Sequence, residues 1–266
     1  MTVQLYRDVY TEIFLHLTDG EDQLAFAQVN SEFYDIFRRH VQVTEHDLNF
    51  ASTGGHLDVV RWMVLDRGID AGAHENYPIR WASREGHLDV VQFLAALPGV
   101  DPTLDHCRAM MWASEKGHLD VVRFLWSFKS VKKSAMRKWM FIASCAGGQL
   151  ESAKFWLPLM DEEDVPFQEL FAHACQQGFL ELAKWLLTLP RVDAGGHDNL
   201  ALVYASKSGE TESVKWLLTL PSVVCGSLDY AMRCARRKEH HKTVAALRPY
   251  LGSTSLKEKE GRGSFF

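Results

Sequence analysis

Residues 83–94 read SREGHLDVVQFL, and residues 114–125 read SEKGHLDVVRFL. A dozen residues written twice at a fixed distance serve either a shared catalytic site or a recurring structural unit. The two cases differ in which letters persist. The glycine of G-H-L-D recurs at Gly55, Gly86 and Gly117, then in weaker copies at Gly148, Gly178 and Gly209, and Glu239 holds the same place in KEHHKTVAAL. The steps are all 30 or 31 residues, giving seven copies. The polar letters drift: His56 becomes Gln149, Phe179, Glu210 and His240, and Asp58 becomes Lys242. The apolar letters stay, as does a small residue four places before each marker (Ala51, Ala82, Ala113, Ser144, Ala174, Ala205, Ala235). The repetition is therefore architectural.

Each copy predicts a pair of helices. WASREG forms the first, with its small residue permitting close approach of a neighbour and Trp81, Trp112 or Tyr204 supplying core bulk. Glycine ends it, because a left-handed residue there carries no Cβ penalty. HLDVVQFLAAL forms the second, with Leu88, Val91 and Leu94 on one face and Asp89 in the first turn, where the helix dipole favours an anion. The prolines of LPGVDP (97–102), LPRVDA (189–194) and LPSVVC (220–225) stop it. Helix, turn, helix and a short loop make one layer of a solenoid.

These residues resemble the ankyrin repeat family, whose pattern runs T-P-L-H-x-A-A-x-x-G-H-x-x-V-V-x-x-L-L. The resemblance spans roughly residues 45–251, and the short, divergent copies are similar to those of giant viruses and some protists. It implies an all-α solenoid of about seven helix-turn-helix layers that binds proteins. Two departures stand out. Arg80, Met111 and Val203 stand where the family has the T-P-L-H histidine that ties layers, so apolar packing is expected to do more. The period falls short of the family's roughly 33 residues, implying shorter β-turn fingers.

The first 43 residues leave the period. LYRDVYTEIFLHLTDGEDQLAFAQVNSEFYDIF resembles an F-box at Leu5, Val9, Ile13, Phe14, Leu17, Leu24, Val29, Asn30 and Phe33, with Tyr6 in place of the usual proline. That resemblance implies docking of a Skp-type adaptor, and so a substrate-recognition subunit of a cullin–RING ubiquitin ligase. The alternative is a helical pair that only caps the stack, as terminal layers need a polar outer face. The organisation expected is an F-box-like segment at 1–43, repeats at 44–251 and a disordered tail at 252–266. The tail is polar and short of core residues.

Bulk properties narrow the class. The 266 residues are 47% hydrophobic, as in a folded globular protein. A net charge of −5 and a pI near 6.2 argue against a general nucleic-acid binder. No apolar run approaches the roughly 18 residues of a membrane span, and no secretory signal opens the chain. Five cysteines without a C-x-x-C pair fit reduced thiols, so a cytoplasmic or nuclear monomer is expected.

No catalytic constellation, metal site or cofactor is expected. His56, His87 and His118 recur, but stacked layers about 10 Å apart cannot share a metal whose ligands sit about 2.0–2.1 Å away. They read as turn residues. Glu239, His240 and His241 read as a solvated cap and not as zinc ligands, and Cys175 near His173 as packing and not as a nucleophile. Trp62, Trp81, Trp112, Trp156, Trp185 and Trp216 read as equivalent core positions.

Recognition is expected where the copies disagree. KSVKKSAMRK (129–138) offers Lys129, Lys132, Lys133, Arg137 and Lys138, and the next loop opens with Asp161, Glu162, Glu163 and Asp164. Adjacent fingers of opposite charge either are simply solvated or orient a partner of mixed charge. Arg80, Arg84, Lys116, Gln177 and Lys207 on the first helices are expected to line the same concave surface for a protein target.

Overall fold

The computed structural model describes residues 44–128, 134–160, 165–223 and 227–260. Among them there is no strand. Fourteen α-helices form seven consecutive pairs: α1 (Glu45–Thr53) with α2 (Leu57–Leu65), α3 (Ala73–Glu85) with α4 (Leu88–Ala95), and α5 (Leu104–Lys116) with α6 (Leu119–Trp126). α7 (Ser134–Ala146) pairs with α8 (Leu150–Trp156), α9 (Phe167–Gln176) with α10 (Leu180–Leu186), α11 (Gly196–Ser208) with α12 (Thr211–Leu217), and α13 (Leu228–Arg237) with α14 (His241–Glu260). First helices stack on first helices, and second on second. This is the expected all-α solenoid. The F-box-like residues Leu5, Val9, Ile13, Phe14, Leu17, Leu24, Val29, Asn30 and Phe33 lie outside the described residues.

The small residue before each turn is why the first helices can stack. Ala82, Ala113, Ser144, Ala174, Ala205 and Ala235 are all fully buried between neighbours. On the second helices Val90, Val91 and Leu94, and their counterparts Val121, Val122 and Leu125, are likewise buried. Each such side chain contributes about 1.5–3 kcal/mol over an exposed one.

Glycine at the turn answers to two demands. Gly86 sits at φ 85°, in the left-handed region, and a Cβ there would lie 2.4 Å from the ring of His118 in the next layer. The same joint recurs along the stack. The residue after each marker glycine packs on the glycine one layer back: His87 on Gly55, Gln149 on Gly117, Phe179 on Gly148, Glu210 on Gly178, His240 on Gly209. Two of the rings also donate across the joint, His87 Nε2–H to the Thr53 carbonyl (2.8 Å) and His240 Nε2–H to the Lys207 carbonyl (3.1 Å). The recurrent histidines are thus more than turn residues; they tie layers. These ties come from the residue after the marker and act beside the apolar packing expected to do more where the T-P-L-H histidine is lacking.

The fingers differ from the expected short β-turns. His74–Asn76, Asp105–Cys107 and His197–Asn199 each place three successive residues at φ between 48° and 60°, a single left-handed turn that reverses the chain before the right-handed helix begins. Side-chain amides fasten these turns to the next layer. Asn76 Nδ2 donates to the Asp101 carbonyl (3.0 Å), and Asn199 Nδ2 to Ser227 Oγ (2.7 Å), whose hydroxyl donates to the Asp198 carbonyl (2.8 Å). Gln168 makes two bonds to the Asp193 backbone (2.8 and 3.0 Å).

At the far end α14 continues to Glu260, so residues 252–260 extend a helix into the stretch expected to lack structure. Leu256, Lys257, Glu258, Lys259 and Glu260 all favour helix, which offsets Gly252. Residues 261–266 lie outside the description.

Candidate functional site: the first-helix face

Residues four apart on a helix share a face. Nine and five places before the marker, the first helices carry Tyr77 and Trp81 (α3), Arg108 and Trp112 (α5), Trp139 (α7), Tyr204 (α11) and Tyr230 (α13), with Phe50 on α1. Trp139 is 60% exposed and Phe50 and Tyr230 53%; Tyr77 and Tyr204 are exposed as well. Five of the large apolar side chains that meet solvent therefore belong to one stripe running across the layers. Surface aromatics of this kind are what protein-binding patches are enriched in.

Cations stand among the rings. The Trp81 and Trp112 rings are 5.4 Å apart, tilted by 52°. The Arg84 guanidinium lies 4.8 Å from the Trp81 centroid and that of Arg108 5.9 Å from Trp112. Arg84 also meets Glu85 (3.4 Å), and Arg108 donates to Asp105. That hydrogen bond holds the Asp105 carboxyl below its ordinary range. Lys116 and Lys207 are exposed on the same helices, as is Gln177 at the end of α9, and Arg84 is half-buried.

Arg80 does not belong to this surface. It is 3% exposed, its Nη1 lying 3.4 Å from both Glu75 and Asp105, with the guanidinium 5.7 Å from the Tyr77 centroid. It lies one residue before Trp81, and one residue turns a helix by about 100°, which carries the side chain off the face and toward the next layer. Arg137 is also held within the stack: Nη1 donates to the Leu159 carbonyl (2.7 Å) and the guanidinium lies 5.5 Å from the Trp126 centroid. Lys129, Lys132, Lys133, Asp161, Glu162, Glu163 and Asp164 lie outside the described residues.

The stripe escaped the sequence reading because Tyr204, Trp81 and Trp112 were assigned to the core. Aligning the copies on their glycines reveals the columns, but hydrophobicity alone does not separate an exposed ring from a buried one. Nor are the tryptophans equivalent. Trp62, Trp185 and Trp216 share a second-helix column, Trp81 and Trp112 are half-buried first-helix residues, and Trp156 stands one place further along its helix and is fully buried. Its Nε1–H donates to Ser114 Oγ of the layer before (3.1 Å).

Burial pushes the thiols of Cys175 and Cys145 up to about 12, so neither is a nucleophile at neutral pH. Burial, with His87 nearby, lowers the pKa of His56. Among the described residues no group of three or more His, Cys, Asp or Glu is placed to hold a metal ion, and no helix is long and apolar enough to cross a membrane.

Comparison with known proteins agrees with this geometry. No curated protein matches the chain. The family model for ankyrin repeats (3 copies) matches residues 48–137, which cover the first three layers and the start of the fourth. The remaining layers repeat the same helix pair and the same glycine joint. Ankyrin repeats indicate a scaffold for protein–protein interaction, and it is as such a repeat stack that residues 48–137 are identified.

Proposed function

We propose that this scaffold holds a protein partner on the first-helix face, across the aromatic stripe from Phe50 to Tyr230. One observation carries the reading: Trp139, Tyr77, Tyr204, Tyr230 and Phe50 expose large apolar side chains along one stripe of helices whose packing faces, at Ala82, Ala113, Ser144, Ala205 and Ala235, are fully buried. Arg84, Lys116, Gln177 and Lys207 supply polar contacts beside the rings. The reading is one of binding and not of catalysis, by a monomer in the cytoplasm or nucleus. Site-specific photo-crosslinking tests it. A benzophenone amino acid at Trp139 should form a protein adduct in cells, whereas one at Leu65, which is exposed on the second-helix side, should not. Equal adducts at both places would refute the assignment of the face.

A finer reading follows from the F-box resemblance of Leu5, Val9, Ile13, Phe14, Leu17, Leu24, Val29 and Phe33. Residues 1–43 would recruit a Skp-type adaptor and present the repeat-bound target to a ubiquitin ligase. The wild-type chain should then capture the adaptor, and a folded Val9→Asp, Phe14→Asp double variant should not. Capture by neither makes residues 1–43 a cap on a stand-alone scaffold.

A further inference from the structure

A column of aromatic rings runs along the second helices and stops one layer short. Seven residues after each marker stand Trp62, Phe93, Phe124, Phe155, Trp185 and Trp216; in the seventh layer the place belongs to Ala246. One position earlier the first six layers carry Arg61, Gln92, Arg123, Lys154, Lys184 and Lys215. Both arginines reach the ring of the following layer, while Lys154, Lys184 and Lys215 each meet the glutamate three residues back in their own helix. The Arg61 guanidinium is 5.3 Å from the Phe93 centroid, and that of Arg123 is 5.9 Å from Phe155. Lys215 faces Ala246 instead of a ring. Thr211, moreover, replaces the leucine that the first five layers have at its position.

Where the ring is missing there is an open hollow of about 780 Å³ between α12 and α14, with Thr211, Lys215, Lys242, Ala245 and Ala246 in its lining. The layers beneath show what such a space accepts: an aromatic ring, flanked by a cation. Its rim also favours an anion, since the lining holds two lysines, Lys215 and Lys242, and one carboxylate, Glu212, which Lys215 engages at 2.7 Å.

We propose that this hollow binds an aromatic side chain of a protein partner, with an adjacent carboxylate of that partner held by Lys242. The ring completes the column beside Lys215, where a cation and a ring face attract. The site is distinct from the first-helix face and rests on the scaffold reading only in taking its ligand from a protein.

The test is a titration of the full chain, 15N-labelled, with the capped peptide Asp-Glu-Phe-Glu-Asp and with its counterpart bearing alanine for phenylalanine. Saturable shifts should appear in the amides of 209–215 and 242–247 with the first peptide only. Ala246→Phe should abolish them, and should raise the unfolding midpoint by filling the hollow from within. Lys242→Glu should weaken binding about tenfold, the scale of exchanging an attractive contact for a like-charge one. Absence of saturable shifts, equal binding of both peptides, or wild-type affinity in Lys242→Glu overturns the proposal. Should Ala246→Phe not fold, the peptide pair and Lys242→Glu still decide it. Loss of this binding leaves crosslinking at Trp139 untouched, so the two sites fail separately.

Discussion

Arg80 shows how a single side chain changes meaning with a turn of the helix. By letter it is a drifting polar residue in a binding repeat; by position it is a buried cation joining two layers through Asp105 (3.4 Å), with Nη2 without a partner among the described residues. A partly satisfied buried charge adds little stability over a well-packed apolar residue of similar size, and the next layer has Met111 in the same slot. Arg80→Met should therefore change stability by less than about 1.5 kcal/mol. Arg80→Ala, which also removes the packed stem, should cost about 2–4 kcal/mol. Urea unfolding of the two variants measures both, and neither should alter partner capture. The sequence could not place Arg80 because the copies supply the spacing of the helix but not its rotation. Lys116, Gln177 and Lys207 sit closer to the turn and are exposed.

At the scale of the element, the helix pairs, their glycine ends and their buried small residues are all legible in the repeat. The fingers are not. HEN and HDN share a histidine, an acid and an asparagine, but DHC does not, so no single letter pattern announces three left-handed residues in a row. Asn and Asp tolerate that region better than most, but histidine and cysteine conform because the amide ties of Asn76 and Asn199 and the packing of buried Cys107 hold the turn. The left-handed conformation costs a non-glycine residue about 1–2 kcal/mol, and glycine forfeits about 0.5–1 kcal/mol of that through its freer unfolded chain. His106 is exposed at φ 56°. His106→Gly should accordingly stabilise the chain by about 0.5–1 kcal/mol, the margin between those two terms. His106→Val should destabilise it, since a β-branched residue suits that region least. Thermal unfolding of the pair reads the sign directly.

For the whole molecule, stability is a sum over layers and the joints between them. Trp156 closes the joint between the third and fourth layers, with its indole buried, bonded to Ser114 and edge-on to Trp126 at 5.1 Å. Trp156→Ala should cost about 3–5 kcal/mol and, by weakening that joint, split one denaturant transition into two. A single transition, merely shifted, would show that the neighbouring layers remain coupled without it. The glycine joint has a broader consequence. One residue from each side makes it, and the ring, amide or carboxylate that closes on the glycine varies from layer to layer without moving the stack. Any layer bearing that glycine can follow any layer bearing it, so a duplicated stretch of one period enters the chain with both of its faces already matched. Such a molecule lengthens by copying itself, and each copy, relieved of any unique place in the core, is free to diverge on its exposed side.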